Sequence, residues 1–142
     1  MKILLATDGS KPALHAVKYA AGLVRKLRSD KSVITLVSVH DDTGLRHAKS
    51  FVGSEGVADY LRELSDKELK PARKLLDAAG IKHDMEILTG PVAQTIVDAA
   101  TKGKFDLIVM GSKGRGAVAD LLLGSVAHRV LATAAQPVLL VK

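Results

Sequence analysis

Short apolar runs alternate along the chain with longer stretches in which apolar residues recur every three or four positions, the two spacings that separate strands from helices. Residues 2–7 (KILLAT) are a run of the first kind and stop at Asp8-Gly9-Ser10, a cluster of turn formers. Ser10 stands where a helix N-cap is expected, and Pro12 falls in the first turn, where a missing N–H costs little. Ala13, Leu14, Val17, Ala20, Ala21, Val24 and Leu27 then share one stripe, which predicts a helix to about residue 28. Residues 32–39 (SVITLVSV) form a second apolar run. Residues 40–55 are polar, contain Gly44 and Gly53, and read as a long loop. A second helix is expected over about 57–79, with Leu61, Leu64, Ala72, Leu75, Leu76 and Ala79 on one side. Pro71 removes a backbone donor from it and should kink or split it, and Gly80 suits its C-cap.

Residues 81–88 (IKHDMEIL) differ from the other apolar segments. Ile81, His83, Met85 and Ile87 alternate with Lys82, Asp84 and Glu86, as on an edge strand with one wet face. Gly90-Pro91 opens a third helix carrying Val92, Ala93, Ile96, Val97 and Ala100. Residues 106–110 (DLIVM) are a buried-type strand, 111–116 a glycine loop, about 119–134 a fourth helix and 137–142 (PVLLVK) a fifth strand. This βαβαβαβαβ order predicts the α/β class: a doubly wound parallel sheet with helices on both faces. The last strand is apolar on both sides, and an open apolar edge invites pairing. A second copy of the chain is the expected cover, giving a homodimer.

Composition narrows the class further. The length of 142 residues suits a single domain, 1–142, and 47% hydrophobic with 25% charged residues excludes a disordered chain. No uninterrupted apolar stretch approaches the ~18 residues of a membrane span, so no membrane partner is expected. The N-terminus enters a strand without a cleavage-site pattern, and the expected location is cytoplasmic. With no cysteine, disulfides, thiolate chemistry and cysteine-based zinc sites are all excluded. Lys and Arg number 21 against 15 Asp and Glu, a formal charge of +6, but the cations are scattered and the aromatics are only Tyr19, Tyr60, Phe51 and Phe105. The densest cluster, Arg25-Lys26-Leu27-Arg28 with Lys31, sits at a helix end, where it complements the helix dipole. No specific nucleic-acid partner is expected.

In an open parallel sheet, ligands bind at the carboxyl ends of strands where the strand order reverses. Two segments have that position here. Asp8 follows the first strand, and Met110-Gly111-Ser112-Lys113-Gly114-Arg115-Gly116 follows the fourth, with Gly124-Ser125 further on. Glycines let backbone N–H groups approach an anion, and a Gly-Ser step at a helix start adds donors. A carboxylate across the crevice would accept from ribose hydroxyls. Each feature also has a plainer meaning. Asp8 could be only an Asx-turn residue, Gly111 and Gly114 turn glycines, and Gly124 a point of tight helix packing or a split in the helix. The P-loop pattern GxxxxGK[ST] is absent. Gly114-Arg115-Gly116-Ala117-Val118-Ala119 matches the loose dinucleotide pattern, but no acid follows Asp120 to hold a ribose. A phospho-receiver would need an acidic pair where Asp8 stands by itself. Ser125 and His128 lie three apart on a helix, but no group orients them for nucleophilic catalysis. His40-Asp41-Asp42 with His47 reads as solvated charge rather than a protein-only metal site. Lys113 and Arg115 could neutralise phosphate charge, or could simply be solvated.

Gly111-x2-Gly114-x9-Gly124-Ser125 resembles the glycine signature of the ATP-binding universal stress proteins. The likeness runs through the whole chain. The opening Ile3-Leu4-Leu5-Ala6-Thr7-Asp8-Gly9-Ser10 is similar to that family's first strand and turn. Leu121-Leu122-Leu123-Gly124-Ser125-Val126-Ala127 and the final Pro137-Val138-Leu139-Leu140-Val141 are similar to its C-terminal half. The resemblance implies a five-stranded sheet in the order 3-2-1-4-5 and a dimer through the last strand. It implies ATP as the ligand; a metal ion, Mg²⁺ or Mn²⁺, is expected only as a bridge between phosphates, since Mg²⁺ keeps waters and uses substrate oxygens. Ala6, Asp8 and Val39 would line the adenosine, Asp8 on the ribose and Val39 near adenine. Met110, Gly111, Gly114, Gly124, Ser125 and Val126 would contact ribose and phosphates. Ala6 stands where many relatives carry proline, a change that a backbone contact survives. The implied role is a stress-response regulator and not an enzyme, since no P-loop lysine, acidic metal pair or water-activating base is present. The alternative is an interaction module of the same fold that does not depend on nucleotide.

Overall fold

The computed structural model of the protein describes residues 1–27, 31–116, 118, 120 and 122–142. Arg28, Ala117, Ala119 and Leu121, which entered the sequence reading, lie outside them. Five strands, all parallel, form one sheet: β1 (Lys2–Ala6), β2 (Val33–His40), β3 (His83–Thr89), β4 (Leu107–Gly111) and β5 (Val138–Val141). Their spatial order is β3-β2-β1-β4-β5. Ile3 is in register with Ile34 of β2 on one side and Leu107 of β4 on the other, so β1 is the centre of the sheet. This position explains its unbroken apolar run, because a central strand in a parallel sheet is covered on both faces. Ile3, Leu4 and Leu5 are all fully buried.

The pleat sorts those side chains between two cores. Ile3 and Leu5 join Ile34, Leu36 and Val109 beneath α1 (Lys11–Leu27) and α2 (Arg46–Ala78), which contribute Val17, Ala20, Leu69 and Leu76. Leu4 and Ala6 join Val37, Ile108 and Met110 beneath α3 (Val92–Lys102) and α4 (Ser125–Thr133), which contribute Ile96, Ala100, Ala127 and Val130. The chain winds from β1 outward to β2 and β3, then crosses back to β4 and β5. The order therefore reverses between β1 and β4, and the crevice opens at their carboxyl ends.

Four expectations need correction. The segment 40–55 is not a loop: after His40, a 3₁₀ turn at Thr43–Leu45 leads into α2 at Arg46, broken only at Gly53 (φ 75°, ψ 168°). The buried positions of α2 begin at Val57, so its first turns cover no core and carry no apolar period to be read. Pro71 neither splits α2 nor takes non-helical angles, the only such residue in the helix being Gly53. Pro71 is exposed, and the Lys67 carbonyl that it leaves without an N–H partner belongs to an exposed residue within reach of water. The fourth helix is shorter than 119–134: Gly124 precedes it as an extended N-cap, and Val118, Asp120, Leu122 and Leu123 are not helical. Finally, β3 starts at His83, because the Ile81 N–H is engaged by the Leu76 carbonyl in the turn that closes α2. Even its apolar side is open, with Met85 and Ile87 both exposed.

Replacing Pro71 by alanine restores a donor to the interior of α2. Helix propensity favours the change by ~3 kcal/mol and the freer unfolded chain returns ~0.4–1 kcal/mol. Pro71→Ala should therefore raise stability by about 2–3 kcal/mol, read as a higher urea midpoint at unchanged slope. A lower midpoint would show that packing requires a bend at this position.

Candidate functional site

The turn after β1 sets one wall of the crevice. Thr7 extends the ladder by donating its N–H to the Val37 carbonyl, 3.0 Å away, and its hydroxyl accepts from the Gly9 N–H. Asp8 Oδ1 accepts from the Ser10 N–H at 3.0 Å, and Ser10 Oγ caps α1 by accepting from the Ala13 N–H at 3.3 Å. Gly9 sits at φ +76°, and a Cβ there would come 3.1 Å from Glu68 Cα. Only glycine combines that backbone conformation with so close an approach of α2.

The opposite wall is the loop after β4. Ser112 donates its N–H to the Val141 carbonyl and accepts from the Gly124 N–H, each at 2.8 Å, so the loop leaves and returns at one point beside the strand end. Three of its glycines stand where neighbouring atoms leave no room for a side chain, backbone at Gly111 and Gly124 and the Asp8 carboxylate at Gly114. A Cβ on Gly111 would meet the Pro12 carbonyl carbon at 3.0 Å, one on Gly114 would meet Asp8 Oδ2 at 3.0 Å, and one on Gly124 would meet Lys113 Cα at 3.3 Å. Gly124 is thus explained by packing at a helix start. No side chain caps α4, and its first residues, Ser125 and Val126, line the crevice.

Between these walls lies a cleft of about 420 Å³. It gathers every residue assigned to the site from sequence: Ala6, Asp8, Val39, Met110, Gly111, Gly114, Gly124, Ser125 and Val126. Val37, Val92 and Ile96 bring apolar side chains to it, and Asp8, His40, Glu68, Lys113 and Arg115 bring polar and charged ones. Asp8 takes the turn role and adds a contact that the sequence did not suggest. Its Oδ1 closes the turn, and its Oδ2 accepts from the Arg115 N–H at 3.0 Å, tying the glycine loop across the cleft to β1. The Arg115 guanidinium donates to the Asp8 carbonyl and, at 2.6 Å, to Glu68 Oε1.

Glu68, Ser38 and Ser65 were missed by sequence reasoning, and His40, read there as solvated charge, is instead a partner of Glu68. The buried carboxylate takes hydrogen bonds on Oε2 from the Ser38 hydroxyl (3.2 Å) and His40 Nε2 (2.8 Å), and Ser38 also shares a hydrogen bond with Ser65. The signal was available: Leu61, Ser65, Glu68, Ala72 and Leu76 follow one another at helical spacing on the buried stripe of α2, so two polar residues interrupt an apolar face. Beyond His40 the acidic residues turn to local partners. Hydrogen bonds from the Thr43 hydroxyl and N–H hold Asp41 below the usual carboxylate range, and the Lys49 ammonium does the same for Asp42. Among the described residues, no three His, Asp or Glu side chains converge as a metal site would require. His128 is exposed on α4 and does not line the cleft.

Fold and cleft together define a doubly wound α/β protein whose strand-end crevice joins an apolar pocket to a loop of close-packed backbone. The sequence profile of the Universal stress protein family matches residues 1–142, and the chain belongs to that family. Universal stress protein MJ0531 of Methanocaldococcus jannaschii is 38% identical over 99% of this chain and 81% of its own length. The solved structure of MJ0577 from the same organism superposes with a TM-score of 0.82 at 30% identity, covering 99% of this chain and 94% of that one. The universal stress protein of Archaeoglobus fulgidus, solved in complex with dAMP, gives a TM-score of 0.69 at 25% identity over 100% of this chain and 98% of that one. No described helix is long and apolar enough to cross a membrane.

Asp8 serves two backbone donors, so its removal should be costly. Asp8→Ala is expected to lower stability by about 1–3 kcal/mol in urea unfolding, and Asp8→Asn, which keeps one acceptor oxygen for the turn, by less. Equal midpoints for parent and Asp8→Ala would mean that water replaces both contacts.

Proposed function

We propose that this chain is a cytoplasmic stress-response regulator that binds ATP in the cleft between β1 and β4, without an enzymatic step of its own. The observation that carries the reading is the glycine loop. It closes on itself at Ser112 and Gly124, faces the carboxylate of Asp8, and ends at the uncapped start of α4. Exposed N–H groups and the positive end of a helix attract phosphate, and Lys113 and Arg115 add charge. Asp8 retains acceptor capacity for ribose hydroxyls, and the apolar lining near Val39 suits a purine. The cleft volume falls within the ~300–1,000 Å³ of small-molecule sites. The dAMP carried by the Archaeoglobus fulgidus relative supports an adenine nucleotide as the ligand class.

A divalent cation fits this cleft only through the ligand. Asp8 and Glu68 already engage N–H donors, so Mg²⁺ or Mn²⁺ would be held by phosphate oxygens and water. The open edge of β5, with Leu139 and Leu140 only half-buried, is the proposed seam of a homodimer. A purified sample that sediments as a monomer at micromolar concentration would remove that part of the reading.

Calorimetric titration with ATP tests the site, alongside chromatography of any nucleotide released on denaturing the purified protein. In Gly114→Val the new side chain presses on Asp8, and in Gly124→Val on the Lys113 backbone. Each should weaken ATP binding by about tenfold or more, corresponding to ~1.4 kcal/mol. If both variants bind as the parent does, the loop is structural only.

A further inference from the structure

Glu68 lines the cleft from α2 and holds the glycine loop of the opposite element. Its side chain is 4% exposed, and its two oxygens serve different parts of the fold. Oε2 is fixed by Ser38 and His40, both on β2, whereas Oε1 takes the guanidinium of Arg115 from the glycine loop. Arg115 is the opposite case, with a side chain 59% exposed on a long flexible stem. The carboxylate is anchored and the arginine is not. A buried negative charge on the wall of an anion-attracting cleft opposes the ligand unless it has another task there.

The geometry points to Glu68 as a latch on Arg115, and hence as the residue that sets how far the site prefers phosphorylated adenosine over adenosine. This rests on the reading of the cleft as an adenine-nucleotide site. With Arg115 on Glu68, its main-chain N–H is drawn to Asp8 Oδ2 and its guanidinium to the Asp8 carbonyl, so the loop is pinned across the crevice. A phosphate offers the guanidinium the same paired acceptors that a carboxylate does. Binding of a phosphorylated ligand therefore becomes an exchange of Arg115 from Glu68 to the ligand. Glu68 tolerates the exchange because Ser38 and His40 remain on its other oxygen. Adenosine offers no such acceptor and leaves the latch closed.

Two measurements on the full chain test this, one of them without any ligand. Trypsin cleaves after arginine only when the side chain is free to enter the protease. In protein stripped of nucleotide, Glu68→Gln should speed cleavage of the Arg115–Gly116 bond by about tenfold, followed by mass spectrometry, with cleavage after Arg25 in α1 as the reference for global unfolding. Calorimetry should then show Glu68→Gln binding ATP five- to tenfold more tightly than the parent, with adenosine affinity changed less than twofold. Arg115→Ala, at an exposed side chain, should weaken ATP without affecting adenosine and should abolish the gain from Glu68→Gln in the double variant. Parental cleavage at Arg115 in Glu68→Gln overturns the latch whatever the cleft binds. Faster cleavage with equal gains for ATP and adenosine overturns its role in discrimination. Faster cleavage in a protein that binds neither ligand overturns the adenine-nucleotide reading and the discrimination built on it, while the latch itself stands.

Discussion

The structure depends on β1 being buried on both faces. A strand flanked by parallel neighbours and covered by two helical layers cannot end gradually, because its next polar group must be satisfied at the sheet edge. The chain meets that requirement within four residues. Thr7 finishes the ladder, Asp8 accepts from the turn, Gly9 takes a backbone conformation open to few other residues, and Ser10 caps α1. The same turn carries the carboxylate that reaches across to the loop after β4. Fold and site therefore share one element, and Asp8 cannot be assigned to either alone.

The cleft extends that economy. Gly111, Gly114 and Gly124 are needed because Pro12, Asp8 and Lys113 stand where their side chains would be. The bareness that lets the loop pack also leaves main-chain groups facing the crevice. The charged side chains of the cleft are organised by Glu68, a residue from the helix on the other side of β1, through contacts to β2 and to Arg115.

Much of this was legible in the sequence, for physical reasons that also mark where legibility stopped. The strand β1 announces itself because burial on both faces leaves no polar position from Ile3 to Ala6, and the edge character of β3 shows in the alternation from His83 to Ile87. The sheet order and the residues gathered at the cleft came from the glycine spacing and its family likeness. The first turns of α2 were illegible because they bury nothing before Val57. Pro71 misled because water reaches the orphaned Lys67 carbonyl, so the helix bears the cost of the proline without breaking. Glu68 was overlooked because a lone charge at a helical position usually faces solvent, and only its place in the buried stripe says otherwise.

The start of α2 has one more consequence. From Arg46 to Gly53 the chain contributes no buried residue, and Phe51 is 87% exposed. A stretch so lightly committed is where length can vary without disturbing the sheet, since the entropic cost of a longer surface excursion grows only with the logarithm of its length. Evolution can therefore rebuild this shoulder of the molecule while leaving the crevice beside it untouched.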